Sequence, residues 1–140
     1  MCLDLVSLSG SYESWMDSFA RAMQRWESII VGDLPSMSSS GLNTTTCTGY
    51  PSEIDDVYIC GQVVSIDGEG SIIGQAAPLK TRSSGVVNPR TGEEYQVTLT
   101  GIMQFDLADI AALQADGTLD EVIFHEMAYV LGGGSQLVGC

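Results

Sequence analysis

From Thr118 to Gly132 the chain carries a full set of helix signals, and few other conformations suit them. Thr118 stands three residues before Glu121, the spacing of a capping box. Val122, Ile123, Met127, Val130 and Leu131 supply the apolar residues, and Gly132 marks the end. Such a helix must bury one side against another element. Within it lies His125-Glu126-Met127-Ala128-Tyr129, which puts His125 and Tyr129 on one face with Glu121 beside them. Residues four apart on a helix have Cβ atoms about 5–6 Å apart.

That spacing is one step from the H-E-x-x-H pattern, in which two imidazoles hold one zinc ion and the glutamate acts as general base. Zinc lowers the pKa of its bound water to about 7, so hydroxide becomes available at neutral pH. His125 can supply one nitrogen and Glu126 the base. Tyr129 supplies a phenol with an ordinary pKa of about 10, a poor zinc ligand. Catalytic zinc sites keep three protein ligands and an open position. His125 is the only histidine of the chain, so no second imidazole can complete the set. A lone histidine on an apolar helix also has a plainer reading, as a buried, hydrogen-bonded side chain.

Other segments predict an alternation of helix and strand. Leu3–Leu8 suits a first strand. A helix over 12–31 places Trp15, Phe19, Met23, Trp26 and Ile30 on one stripe, with Gly32 as its cap and Pro35 blocking continuation. Ser36–Pro51 is rich in Ser, Thr and Gly and predicts a surface loop. Val57–Ile66 predicts a strand. A tight turn at Asp67–Gly70 then returns the chain into Ser71–Ala76 as a hairpin. Thr81–Gly92 predicts a loop with a turn at Asn88–Gly92. Tyr95–Phe105 is the longest strand candidate, with Val97, Leu99 and Gly101 alternating against Gln96, Thr98 and Thr100. Asp106 caps a short helix over Leu107–Leu113. The acids Asp55, Asp56, Asp106 and Asp109 are read as turn formers, caps and solvated groups.

Residues 1–140 have room for one domain and for a core. The net charge of −13, from 18 acids and 5 bases, argues against nucleic acid and anionic membrane partners. No apolar stretch approaches the roughly 20 residues needed to span a bilayer, so membrane insertion is not expected. There is no P-loop and no twelve-residue calcium loop, and nothing aligns a nucleophile with His125.

Leu119-Asp120-Glu121-Val122-Ile123-Phe124-His125-Glu126-Met127-Ala128-Tyr129-Val130-Leu131-Gly132 resembles the active-site helix of leishmanolysin-like metallopeptidases, a branch of the metzincins. Trp26–Ile30 with Gly32–Pro35, Ile54–Ile59, Ile66–Gly70, Ile73–Pro78 and Gly101–Asp109 resemble further family segments in the same order. Together they cover most of residues 12–134. The resemblance implies an α+β fold: an N-terminal metzincin-like subdomain with a twisted mixed β-sheet, a long N-terminal helix and a C-terminal active-site-type helix. It implies a zinc metalloendopeptidase ancestry, with His125 as a Zn²⁺ ligand and Glu126 as general base. The second ligand falls on Tyr129. The family's third histidine and methionine turn lie beyond this chain's last residue, Cys140. An impaired or inactive hydrolase is therefore expected.

In metzincins an edge strand beside the cleft pairs with a peptide or protein substrate. The resemblance puts that strand near Thr98–Met103, with Thr98, Thr100, Gly101 and Met103 as substrate-binding positions. A non-catalytic peptide-binding module using the same strand is the alternative. Loss of the C-terminal subdomain exposes one cleft wall, which favours self-association. The family implies a secreted or extracellular, oxidising setting, although no signal peptide opens this chain; a piece of a longer protein is expected. Four cysteines allow three ways of forming two disulfides. The favoured bridge is Cys47–Cys60, with Cys2 and Cys140 free; four reduced thiols are the alternative. Asn43-Thr44-Thr45 is a glycosylation sequon in the polar loop.

Overall fold

The computed structural model describes residues 3–5 and 13–132. Strand β1 (Leu3–Leu5) precedes helix α1 (Glu13–Ile29), short strands β2 (Met37–Ser38) and β3 (Glu53–Ile54), and strand β4 (Val57–Val64). Two long strands follow, β5 (Gly74–Val87) and β6 (Glu94–Asp106), and then helices α2 (Leu107–Asp116) and α3 (Leu119–Val130). The main sheet is mixed, in the order β1-β4-β6-β5. Its first three strands are parallel, and β5 runs antiparallel to β6 at the edge. The chain is thus α+β, with three helices among the described residues.

The sheet has two covered faces. Val57 and Ile59 of β4 point toward the helices, with Met103 and Phe105 of β6. They meet Trp15, Phe19 and Ala22 of α1, Ile110 of α2, and Leu119, Ile123, Met127 and Val130 of α3. Tyr58 and Cys60 point the other way, as alternation on a strand requires, and pack with Cys47, Ile54 and Leu99. Burial on both faces explains why Val57–Cys60 is an unbroken apolar run. The second face is covered by the polar 36–54 segment, not by helices. Cys47 and Cys60 form a disulfide there, with Cα atoms 5.9 Å apart.

The expected stripe on α1 holds for Trp15 and Phe19, with Met23 and Trp26 partly buried against the core. The stop differs from the expectation. Gly32 does not take the left-handed conformation; the last helical bond, from Ile30 N–H to the Trp26 carbonyl at 2.8 Å, closes α1, and residues 30–36 follow without regular structure.

The expected hairpin between Val57–Ile66 and Ser71–Ala76 does not form. β4 is already paired on both sides, with β1 and with β6. The turn at Asp67–Gly70 is real, with Gly68 and Gly70 at positive φ, but it is bound to the start of α2. The Asp106 carboxylate accepts N–H bonds from Ile66, Asp67 and Gly68 at 2.8–3.0 Å, and Asp109 accepts one from Gly70 at 2.9 Å. The chain is thereby carried across the end of β6 to its far side. The hairpin that does form joins β5 to β6 through the turn at Asn88–Gly92, where Gly92 has φ +74°. Residues 81–87, expected as loop, are strand. Their polar composition suits an edge strand with one solvated side, and Pro78 is tolerated for the same reason.

The alternation expected along β6 breaks. Lys80 pairs with Thr100 and Thr81 with Thr98, so the ladder skips Leu99; Pro78 pairs with Gly101, so it also skips Leu79. These bulges turn Leu99 to the disulfide side while Thr98 reaches α3.

Helix α3 sits close to the sheet because Gly101 lacks a side chain. A Cβ there would overlap Val130 Cγ1 and lie 3.2 Å from the Ala77 carbonyl. Gly101→Val is expected to destabilise the fold by at least about 1–3 kcal/mol, the usual cost of overpacking. Urea unfolding followed by circular dichroism measures it; an unchanged midpoint would show that α3 is not seated at this point.

Candidate functional site

Helix α3 buries Leu119, Ile123, Met127 and Val130. The period of 3.6 then turns His125 and Tyr129 outward, and both are exposed. The reading of His125 as a buried, satisfied histidine is therefore corrected: the core-facing positions belong to its apolar neighbours. α1 holds the first half of α3. Arg21 makes a two-pronged bond to Asp120 at 2.5 and 2.9 Å, and Arg25 pairs with Glu121 at 2.7 Å. Arg25 also lies 3.9 Å over the Phe124 ring. Trp26 stacks on Phe124 at 4.6 Å and donates its indole N–H to the Phe124 carbonyl at 3.1 Å. The Arg21 pair is exposed, so it sets the register of the helices more than it stabilises them. At the other end Thr98 donates its hydroxyl to the Val130 carbonyl, satisfying one of the free acceptors of the last turn.

The expected capping box is absent. Thr118 sits at the cap, but its hydroxyl donates to Asp116 at 2.5 Å and Glu121 is engaged by Arg25. Asp106 does cap α2, accepting from Ala108 N–H at 2.8 Å.

At the motif the His125 and Tyr129 rings meet edge to face, with centroids 5.3 Å apart. Glu126 is half-buried beside them. Burial raises its carboxyl pKa above the ordinary value, and nearby His125 pulls weakly the other way. Zinc needs three converging protein donors and an open position. The motif offers one imidazole, one phenol and the carboxylate of Glu126, while the neighbouring Glu121 is engaged by Arg25. Among all the described residues the one group of three metal-type donors in mutual reach is Asp33, Asp55 and Asp56, in the segments before β2 and between β3 and β4, with atoms within 4.8 Å of one another. The motif face does not fit a zinc centre. The aspartate group is an oxygen set of the kind hard cations accept. Two of its members are already hydrogen-bonded, Asp55 by Ser36 and Asp56 by the Leu34 N–H, both at 2.9 Å.

The substrate-binding assignment of Thr98, Thr100, Gly101 and Met103 as an edge strand is corrected. They lie on β6, which is flanked by β4 and β5, and all four are buried. Gly101 receives Val130 and Met103 fills the core. The edge is β5, which leaves one side unpaired within the described sheet and contacts α3. Alternation along a strand reports which faces are covered; it does not report whether another strand lies alongside.

Three features escaped the sequence reading. Asp106, Asp109 and Asp56 are buried, not solvated. Arg82, also buried, donates to the carbonyls of Pro35, Asp55 and Asp56 and so locks the segment after α1 to the start of β4. A charged residue in a Ser/Thr-rich stretch gives no sign of such a role. Asp106 accepts four backbone N–H bonds, and these hold its carboxyl down at about 2, Ala108 contributing most. An acid lowered from 3.8 stabilises the fold above that value and loses its contribution as pH falls through about 2. Asp106→Asn is expected to lower the denaturation midpoint at neutral pH and to flatten its decline between pH 4 and pH 2. Acid titrations of the two forms followed by circular dichroism check this; parallel curves would contradict it.

No family model, curated protein or solved structure matches this chain. Among the described residues no helix is long and apolar enough to cross a membrane.

Proposed function

We propose that this chain is the N-terminal subdomain of a leishmanolysin-like metallopeptidase whose hydrolytic centre has been lost. The observation that carries this reading is the exposed face of α3. His125 and Glu126 stand in the order of the zinc motif, and a phenol occupies the position of the second imidazole. Two features of the fold agree with it. The helix lies against a mixed sheet, and β5 at one edge leaves a side unpaired within the described sheet, which an extended peptide can join.

Purified chain is expected to hold no stoichiometric zinc and to cleave no peptide. Tyr129→His places a second imidazole one turn from His125 and is expected to raise zinc affinity at least tenfold, about 1.4 kcal/mol. Elemental analysis and metal titration of both forms measure this. Stoichiometric zinc in the parent, lost in His125→Ala, would overturn the reading.

The free side of β5 favours a second reading, a peptide-binding module that does not cut. Binding of extended peptides that persists in chelator supports it, and indifference to all peptides opposes it. Ile72, Ile73, Leu79, Val86 and Val87 are exposed in or beside β5, which also suits self-association. A strict monomer by light scattering at high concentration would count against that.

A further inference from the structure

The disulfide-bearing face of the sheet carries a feature that the metallopeptidase reading does not use. Asn43, Thr44 and Thr45 form the chain's one N-x-[ST] triplet, and all three are exposed. The loop holding them is fixed from several sides. Cys47 is bonded to Cys60 of β4. Gln62 donates to the Thr46 carbonyl at 3.1 Å, and the Tyr58 hydroxyl reaches the Thr48 and Gly49 carbonyls at 3.3 and 3.2 Å. Leu42 packs against the cluster beneath.

Within the triplet the Asn43 side chain is already arranged. Its Oδ1 accepts the Thr45 N–H at 2.8 Å and also the Thr45 hydroxyl. The carboxamide is thereby held by its oxygen, and its Nδ2 makes no hydrogen bond among the described residues. Beside it opens a cleft of about 280 Å³ bordered by Tyr50, Leu79 and Lys80, so a group attached to Asn43 meets space rather than core. The triplet sits on the face opposite α1 and α3, away from His125. The disulfide is a second sign, of a different chemical kind, that suits an oxidising secretory compartment.

We propose that Asn43 is an N-glycosylation site of the folded chain. The donor is a lipid-diphosphate-linked oligosaccharide and the catalyst an oligosaccharyltransferase. Asn43 Nδ2 bonds to the anomeric carbon as that carbon's bond to the diphosphate breaks. The lipid diphosphate departs with the electron pair, and the amide nitrogen gives one proton to a base of the transferase. A glycan here adds bulk to the disulfide side and leaves the motif face open.

The test is translation of the full chain, behind a cleavable leader, into endoplasmic-reticulum microsomes. The protease-protected product is expected to shift by a single glycan, to lose the shift with peptide N-glycosidase, and to show aspartate at position 43 afterwards. Asn43→Gln and Thr45→Ala are expected to abolish the shift, and Thr45→Ser to keep it. A protected but unshifted parent, or a shift that survives in Asn43→Gln, would overturn the proposal. Peptide mapping of the glycosylated product is expected to find the Cys47–Cys60 bond; its absence would show that the glycan and this fold are incompatible. Neither result bears on zinc, so the metallopeptidase reading stands or falls separately.

Discussion

One buried carboxylate organises the sheet. Asp106 ends β6, caps α2, and gathers the amides of Ile66, Asp67 and Gly68. Four N–H donors around one anion compensate the loss of water that its burial imposes. The contact decides topology as well. It ties the turn after β4 to the end of β6, and the chain then continues with Ile73 accepting from Asp106 N–H at 2.9 Å. From that anchor Gly74–Val87 runs back along the outer side of β6. Asp109 repeats the device one turn into α2 by holding Gly70.

Once β5 is placed outside β6, the seat of α3 follows. The helix crosses β6 at Gly101, where only a hydrogen allows Val130 to approach, and its last carbonyl is taken by Thr98. The bulges at Leu79 and Leu99 make this possible, since they put Thr98 and Gly101 on the same side of the sheet. Packing through Ile123, Met127 and Val130 leaves one helical face over, and His125 and Tyr129 are on it. The display of the motif is thus a consequence of burial elsewhere on the helix. Display alone does not make a metal centre. Two rings at 5.3 Å, one of them a phenol, lack the converging donors that zinc requires.

Much of the local structure was legible. The Trp15–Trp26 stripe, the apolar run of β4, the Asp106 cap and the Gly132 stop each follow from short-range rules, and each is present. The Cys47–Cys60 bridge, the favoured one of the possible pairings, is formed. The misreadings share a cause. The spacing of Thr118 and Glu121 fits a capping box, yet Arg25 and Asp116 compete for the same groups and prevail. Thr81–Val87 has the composition of a loop because an edge strand with a solvated side is polar. The resemblance puts an edge strand near Thr98–Met103, yet pairing of β6 with both β4 and β5 places it inside the sheet.

By itself the sequence determined the three helices, the apolar run of β4, the stripe of α1, and that a histidine, a glutamate and a tyrosine share a helix. Those properties depend on contacts within a few residues. Strand order, the far-side insertion of β5, the burial of Asp106 and Arg82, and the close seat of α3 on Gly101 were decided only in the tertiary structure. Each of these joins groups tens of residues apart, and the competition among such partners is settled by packing rather than by spacing along the chain.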